Sequence, residues 1–78
     1  SAKVVNIVAG SESGSGIEVL IDNEPLNNEN KGSDMELNKS TEINDFSLYN
    51  LVDFEYGKHT IQINIKGKGF KINTFTFG

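Results

Sequence analysis

Between Thr60 and Lys66 the chain alternates without a break. Ile61, Ile63 and Ile65 are branched and apolar, while Gln62, Asn64 and Lys66 are polar. Successive side chains of a strand point to opposite faces, so a period of two predicts a strand with one buried face. Ile17-Glu18-Val19-Leu20-Ile21-Asp22 repeats the pattern, with Ile17, Val19 and Ile21 on one side and Glu18 and Asp22 on the other. Val4-Val5-Asn6-Ile7-Val8-Ala9 is a third, β-branched run, stopped by Gly10 and the Ser/Gly stretch through Gly16, which reads as a flexible hairpin loop. Leu48-Tyr49-Asn50-Leu51-Val52-Asp53-Phe54 is apolar on both sides, which predicts a strand buried on two faces or one carrying a bulge. In the last segment Phe70-Lys71-Ile72 sets an apolar phase that slips by one residue before Phe75 and Phe77. An extra residue in one strand of a pair has that effect, so a β-bulge is expected there.

Turns are expected at Asp22-Asn23-Glu24-Pro25, at Glu55-Tyr56-Gly57-Lys58-His59 and at Gly67-Lys68-Gly69. Residues 27–39 are polar and rich in Asn, which predicts a long loop with one short strand near Met35–Leu37. No segment carries a helical stripe. The expected fold is all-β: an antiparallel meander of about five or six strands packed as a small β-sandwich.

The chain has 78 residues and no cysteine, with 36% apolar residues and a formal net charge of −4. Disulfides and cysteine-bound zinc are excluded, so the core rests on apolar packing. Acidic residues are concentrated between Asp22 and Asp45, and no basic cluster offsets them. That balance argues against nucleic acid and against an anionic lipid surface as partners. No apolar run approaches the ~20 residues of a membrane span. Residues 1–78 read as a single domain, and the opening Ser1-Ala2-Lys3 suggests one excised from a larger protein.

Candidate chemistry is sparse. His59 is the only histidine, and nucleophilic catalysis would need a Ser or Cys nucleophile and an orienting acid beside it; a solvated residue next to a turn is expected instead. The acidic residues Asp22, Glu24 and Asp34, with Glu29 and Glu36, could offer oxygens to calcium, although their spacing lacks the rhythm and central glycine of an EF-hand. The glycines from Gly10 to Gly16 lack the Lys-Ser/Thr end and following helix of a phosphate loop. Sugar-binding sandwiches stack exposed rings on pyranose faces. Tyr56, beside a turn glycine, is the ring expected outside, and Tyr49 is the second candidate, more core-like with its hydroxyl at the rim. Phe46, Phe70, Phe75 and Phe77 are expected in the core. No catalytic residue, metal or cofactor is assigned, and the domain is expected not to be an enzyme.

Ala2-Lys3-Val4-Val5-Asn6-Ile7-Val8 is followed by Val19-Leu20-Ile21-Asp22-Asn23-Glu24-Pro25-Leu26, then by Gly32-Ser33-Asp34-Met35, Leu48-Tyr49-Asn50-Leu51-Val52, Gly57-Lys58-His59 and a closing Phe75-Thr76-Phe77-Gly78. In this order the segments resemble the C-terminal domain of DipZ-type cytochrome c biogenesis proteins and related thioredoxin-like proteins. Asn23 stands where that family usually has Gly, at a turn position whose positive φ Asn tolerates. The resemblance implies a carbohydrate-binding-module-like jelly roll placed after a thioredoxin-fold domain that carries the redox cysteines. The family domain is longer, with strands ahead of the first matching segment. The chain is therefore expected to be the C-terminal part of such a sandwich or a shortened form, and an open sheet edge would favour self-association.

The resemblance also implies an extracytoplasmic location, periplasmic or cell-surface. The partner it implies is the upstream thioredoxin-fold domain or that domain's client. The expected function is a non-catalytic accessory or interaction domain of a thiol–disulfide protein. A carbohydrate-binding module and an immunoglobulin-like adhesion or spacer domain are the alternatives.

Overall fold

A computed structural model describes residues 2–55 and 58–77, with the side chains at 2, 3, 55, 73 and 75–77 left aside. The described residues form seven strands and no helix: β1 (Ala2–Ser11), β2 (Ser15–Ile21), β3 (Glu24–Pro25), β4 (Thr41–Ile43), β5 (Ser47–Glu55), β6 (Ile61–Lys66) and β7 (Phe70–Phe77). The number exceeds the five or six expected because β3 and β4 are only two and three residues long. All pairings are antiparallel. One sheet has the order β5-β1-β7; the other is built on β2, with β6 along one edge and β3 and β4 at the two ends of the opposite edge.

The arrangement is a small sandwich, but not a meander. Only β2 and β3 are consecutive strands joined as a hairpin. The links β1–β2, β4–β5, β5–β6 and β6–β7 each carry the chain from one sheet to the other. The reason lies in the sequence: β1 and β2 each bury a complete inward face, and such central strands need neighbours on both edges. Val5, Ile7 and Ala9 of β1 and Ile17, Val19 and Ile21 of β2 are at most 7% exposed, and with Ile43, Leu51, Val52 and Met35 they form one apolar core.

Both expected irregularities are present. In β5 the register on β1 slips between Val5 and Asn6, so Val5 lies opposite Val52 but Asn6 opposite Asn50. The extra residue is Leu51. It lets two successive side chains, Leu51 and Val52, both be buried, which alternation alone forbids. In β7 the register slips between Val8 and Ala9, which face Thr74 and Ile72, leaving Asn73 as the extra residue.

Three expectations need correction. No strand forms at Met35–Leu37; Met35 is buried within a loop. Phe46 is not in the core. It is 58% exposed and lies over Gly10 of β1, where an added Cβ would come within 2.6 Å of its ring. The Ser/Gly stretch after β1 is not a slack hairpin either. Only Glu12–Gly14 separates β1 from β2, Ser11 and Ser15 are buried, and their hydroxyls lie 2.8 Å apart. The hydroxyls of Ser11 and Ser13 donate to the carbonyl of Lys68 at 3.1 and 2.7 Å, and the Ser11 amide donates to the carbonyl of Asn44 at 2.6 Å. Three crossings between the sheets are thereby tied at one end. Phe70 packs against the core; Phe75 and Phe77 fall among the side chains outside the described set.

The long polar loop has a structural task. Asn27 closes a turn in which its Oδ1 accepts from the amides of Glu29 and Asn30 at 2.9 and 3.0 Å, a side chain standing in for a backbone acceptor. The next residues run along the outer edge of β5. Lys31 bridges Val52, the Gly32 amide donates to the Leu51 carbonyl at 2.9 Å, and the Asp53 amide donates to the Asn30 carbonyl at 2.9 Å. This covers the row of backbone groups that a bare edge strand would leave open.

Gly32 is the point of closest approach. A Cβ there would lie 2.1 Å from the carbonyl oxygen of Asn50. Gly32→Ala is expected to lift the loop from β5 and to cost about 1–3 kcal/mol, as overpacking against fixed backbone does. Urea unfolding measures the cost. Hydrogen exchange at the Gly32 and Asp53 amides, which should lose protection ahead of the β1 amides, reports the lifting.

Candidate functional site

The polar features gather at three places. The first is the turn between β2 and β3. Asp22 and Asn23 both have positive φ, 52° and 68°, as a two-residue hairpin that follows the strand twist requires. Asn and Asp tolerate this backbone better than other residues bearing a Cβ. Asn23 therefore fills the position for which Gly is the usual solution.

The Asp22 carboxylate is then used twice. Oδ1 accepts from the Thr60 amide at 2.9 Å and Oδ2 lies 2.7 Å from Nδ1 of His59. An ionised carboxylate only accepts, so Nδ1 carries the proton in this contact. The His59 ring also meets Phe54 edge-on, with centroids 4.5 Å apart. His59, although exposed, is thus clasped to the β2–β3 turn. The hydrogen bond from His59, and after it that from Thr60, holds the Asp22 carboxyl below the ordinary carboxylate range. An acid–imidazole pair becomes catalytic only with a nucleophile on the second ring nitrogen. Among the described residues no side chain is hydrogen-bonded there.

The second place is Asn50 on β5. Its Oδ1 accepts from the Ser33 amide at 2.7 Å, its Nδ2 donates to Oδ1 of Asn6 at 2.8 Å, and its amide donates to Oδ2 of Asp34 at 2.7 Å. Asp34 thereby holds the edge-covering loop, and its oxygen is engaged by backbone. Glu24 lies on the exposed strand β3. The calcium candidates Asp22, Glu24 and Asp34 thus occupy separate structural roles, and among the described residues no three His, Cys, Asp or Glu side chains are grouped to hold a metal ion. Neither Asn6 nor Asn50 was marked by the sequence. A polar residue at a non-alternating position within an apolar strand was the available signal.

The third place is a shallow cup of about 290 Å³ beside the tied crossings, lined by Ser13, Ser15, Ser40, Glu42 and Asn44. Its polar groups are largely engaged by the protein itself: the Ser13 hydroxyl binds the Lys68 carbonyl, and the Asn44 amide donates to Glu42 at 2.8 Å. No aromatic ring lines it. A smaller recess of about 40 Å³, lined by Met35 and Leu26 among others, is large enough to hold water.

The ring candidates divide. Tyr49 lies opposite Ile7, is half-buried against the core, and donates its hydroxyl to the Asp45 carbonyl at 3.1 Å. Tyr56 lies outside the described residues.

The Asp22 clasp has a defined pH dependence. A carboxyl whose folded pKa is depressed adds stability that is complete above its unfolded value, near pH 4, and is lost as pH falls through the lower folded value. Denaturant midpoints of the wild type are therefore expected to fall more steeply on acidification below about pH 4 than those of Asp22→Asn. Parallel acid limbs for the two proteins would show that the clasp does not contribute.

The family model described as "Thioredoxin like C-terminal domain" matches residues 1–78. No curated protein and no solved structure matches the chain.

Proposed function

The chain belongs to the thioredoxin-like C-terminal domain family, and from that premise we propose that it is a non-catalytic accessory domain of a thiol–disulfide protein of the cell envelope. Its role in this reading is to position the thioredoxin-fold domain that lies upstream or to dock that domain's client. The observation that carries the reading is a family match along the whole chain in a sequence without a single cysteine. Thiol–disulfide exchange proceeds by attack of a thiolate on a disulfide sulfur, so this domain has no means of performing it. Any redox step belongs to another part of the protein.

The Asp22–His59 pair supports the same reading from the chemical side. Both groups bond within the fold, joining the β2–β3 turn to the segment before β6. The envelope location comes from the resemblance to DipZ-type proteins and is part of the same proposal.

The test separates docking from chemistry. The thioredoxin-fold domain is assayed with and without this domain in cis, on a small disulfide and on a protein disulfide client. Removal is expected to leave the small-molecule rate within about twofold and to lower kcat/KM on the protein client about tenfold, the size of one modest docking interaction of ~1.4 kcal/mol. Equal rates on both substrates, with no chemical-shift change when the labelled chain is titrated with the redox domain, would refute the accessory role.

A further inference from the structure

The two flanks of the sandwich differ. Residues 26–40 run from β3 past the edge of β5 to β4 and cover that flank. β6 lies on the opposite edge of its sheet, where among the described residues it pairs with β2 alone. Its inward side chains show the difference. Ile61, Ile63 and Ile65 lie opposite the buried Ile21, Val19 and Ile17, yet Ile61 and Ile63 are only half-buried and Ile65 is 44% exposed. Ile72 of β7, opposite the buried Ala9, is 38% exposed. The most regular strand of the chain therefore leaves its apolar face incompletely covered.

The backbone of β6 is aimed the same way. The Asp22 amide donates to the Thr60 carbonyl at 2.8 Å, so Asp22 and Thr60 form a hydrogen-bonded pair at the end of the β2–β6 ladder. In an antiparallel ladder such pairs alternate with non-bonded ones. Leu20 with Gln62, Glu18 with Asn64 and Gly16 with Lys66 are then the bonded pairs. The N–H and C=O groups of Ile61, Ile63 and Ile65 consequently point away from β2, along the free edge. The three isoleucines that need cover are also the three whose backbone can accept a further strand.

Charge narrows what that strand can be. Residues 58–78 contain Lys58, Lys66, Lys68 and Lys71, four of the seven lysines, and none of the eleven acidic residues. All four lysines are exposed. The acids on the polar face of this ladder are Glu18, opposite Asn64, and Asp22, whose carboxylate is already bonded to His59 and Thr60. β6 carries Lys66, with Lys58 and Lys68 just beyond its two ends. Pairing it antiparallel with β6 of a second copy would bring the lysines of one end towards those of the other, and like charges across a strand pair are destabilising. Exposed edge lysines are a recognised guard against self-pairing.

We propose that the free edge of β6 is a docking site that takes an added strand from a partner polypeptide alternating branched apolar with acidic residues. The apolar side chains would complete the cover over Ile61, Ile63 and Ile65. The acids would meet Lys66 and its neighbours on the polar face, and backbone bonds to the isoleucines would hold the register, as in other cases of strand addition. The inference does not depend on a redox parent, because it rests on the edge alone.

The test uses the isotope-labelled 78-residue chain and three capped heptapeptides. One has the sequence Glu-Val-Glu-Ile-Glu-Val-Glu, the second carries lysine for each glutamate, and the third is the first with alternate backbone amides methylated. The glutamate peptide is expected to shift the amide resonances from Ile61 to Lys66 and to slow exchange at Ile61, Ile63 and Ile65. The lysine peptide should bind about fivefold more weakly at low salt, and the Lys66→Glu protein should narrow or reverse that preference. Methylation of the amides facing β6 should abolish binding.

Failure of the glutamate peptide to bind, equal affinity for both charges, indifference to methylation, or shifts confined to other strands would each overturn the proposal. A concentration-dependent dimer that shifts the same β6 amides without peptide would also overturn it, assigning the edge to a second copy.

Discussion

The structure depends on one seam, where Val5, Ile7 and Ala9 of β1 and Ile17, Val19 and Ile21 of β2 close the two sheets over a common core. Replacing one such isoleucine by alanine costs about 2–5 kcal/mol. A domain of this length has about 4–12 kcal/mol in total, and with no cysteine there is no disulfide to supplement it. The other strands serve this seam. β5 and β7 flank β1, while β6, β3 and β4 flank β2. The bulge at Leu51 turns a second side chain inward where the core needs one.

Much of the fold was legible because period and phase are local. The runs at β1, β2, β5, β6 and β7 announced themselves, and both bulges were visible as a doubled apolar face at Leu51-Val52 and a phase slip before Phe75. What alternation does not encode is the neighbour. The pattern of Ile61, Ile63 and Ile65 says that one side of β6 is apolar, not that the strand lies at an edge with that side half open. Phe46 illustrates the converse, an aromatic that covers Gly10 from outside while remaining exposed itself. The serines around Gly14 read as part of a flexible hairpin loop because their acceptor, the Lys68 carbonyl, is 55 residues away from Ser13.

The polar sites were less legible for the same reason. Asp22 and His59 are separated by 37 residues and lie in two connections, where no periodicity links them. Asp34 attracted notice as a possible cation ligand because its neighbours are acidic; its partner is the amide of Asn50, and a backbone donor leaves no mark in the sequence. Tyr49 could be placed beforehand, since a ring at an alternating position of a strand facing the core has only its hydroxyl free to reach the rim. The family, by contrast, was legible from an ordered set of short segments, each too weak alone.

The wide spacing of the paired strands bears on how the molecule assembles. β1 finds its neighbours at residues 47–55 and 70–77, and β2–β3 is the one ladder joined by a tight turn. Topologies dominated by such distant pairings fold in roughly milliseconds to seconds rather than microseconds, because loop closure must precede the contacts that reward it. During that interval β1 waits with both margins bare, and its apolar residues are open to other chains. The vulnerable period for this domain is therefore its folding, when the Val and Ile of β1 stay uncovered until residues 47–55 and 70–77 have closed around them.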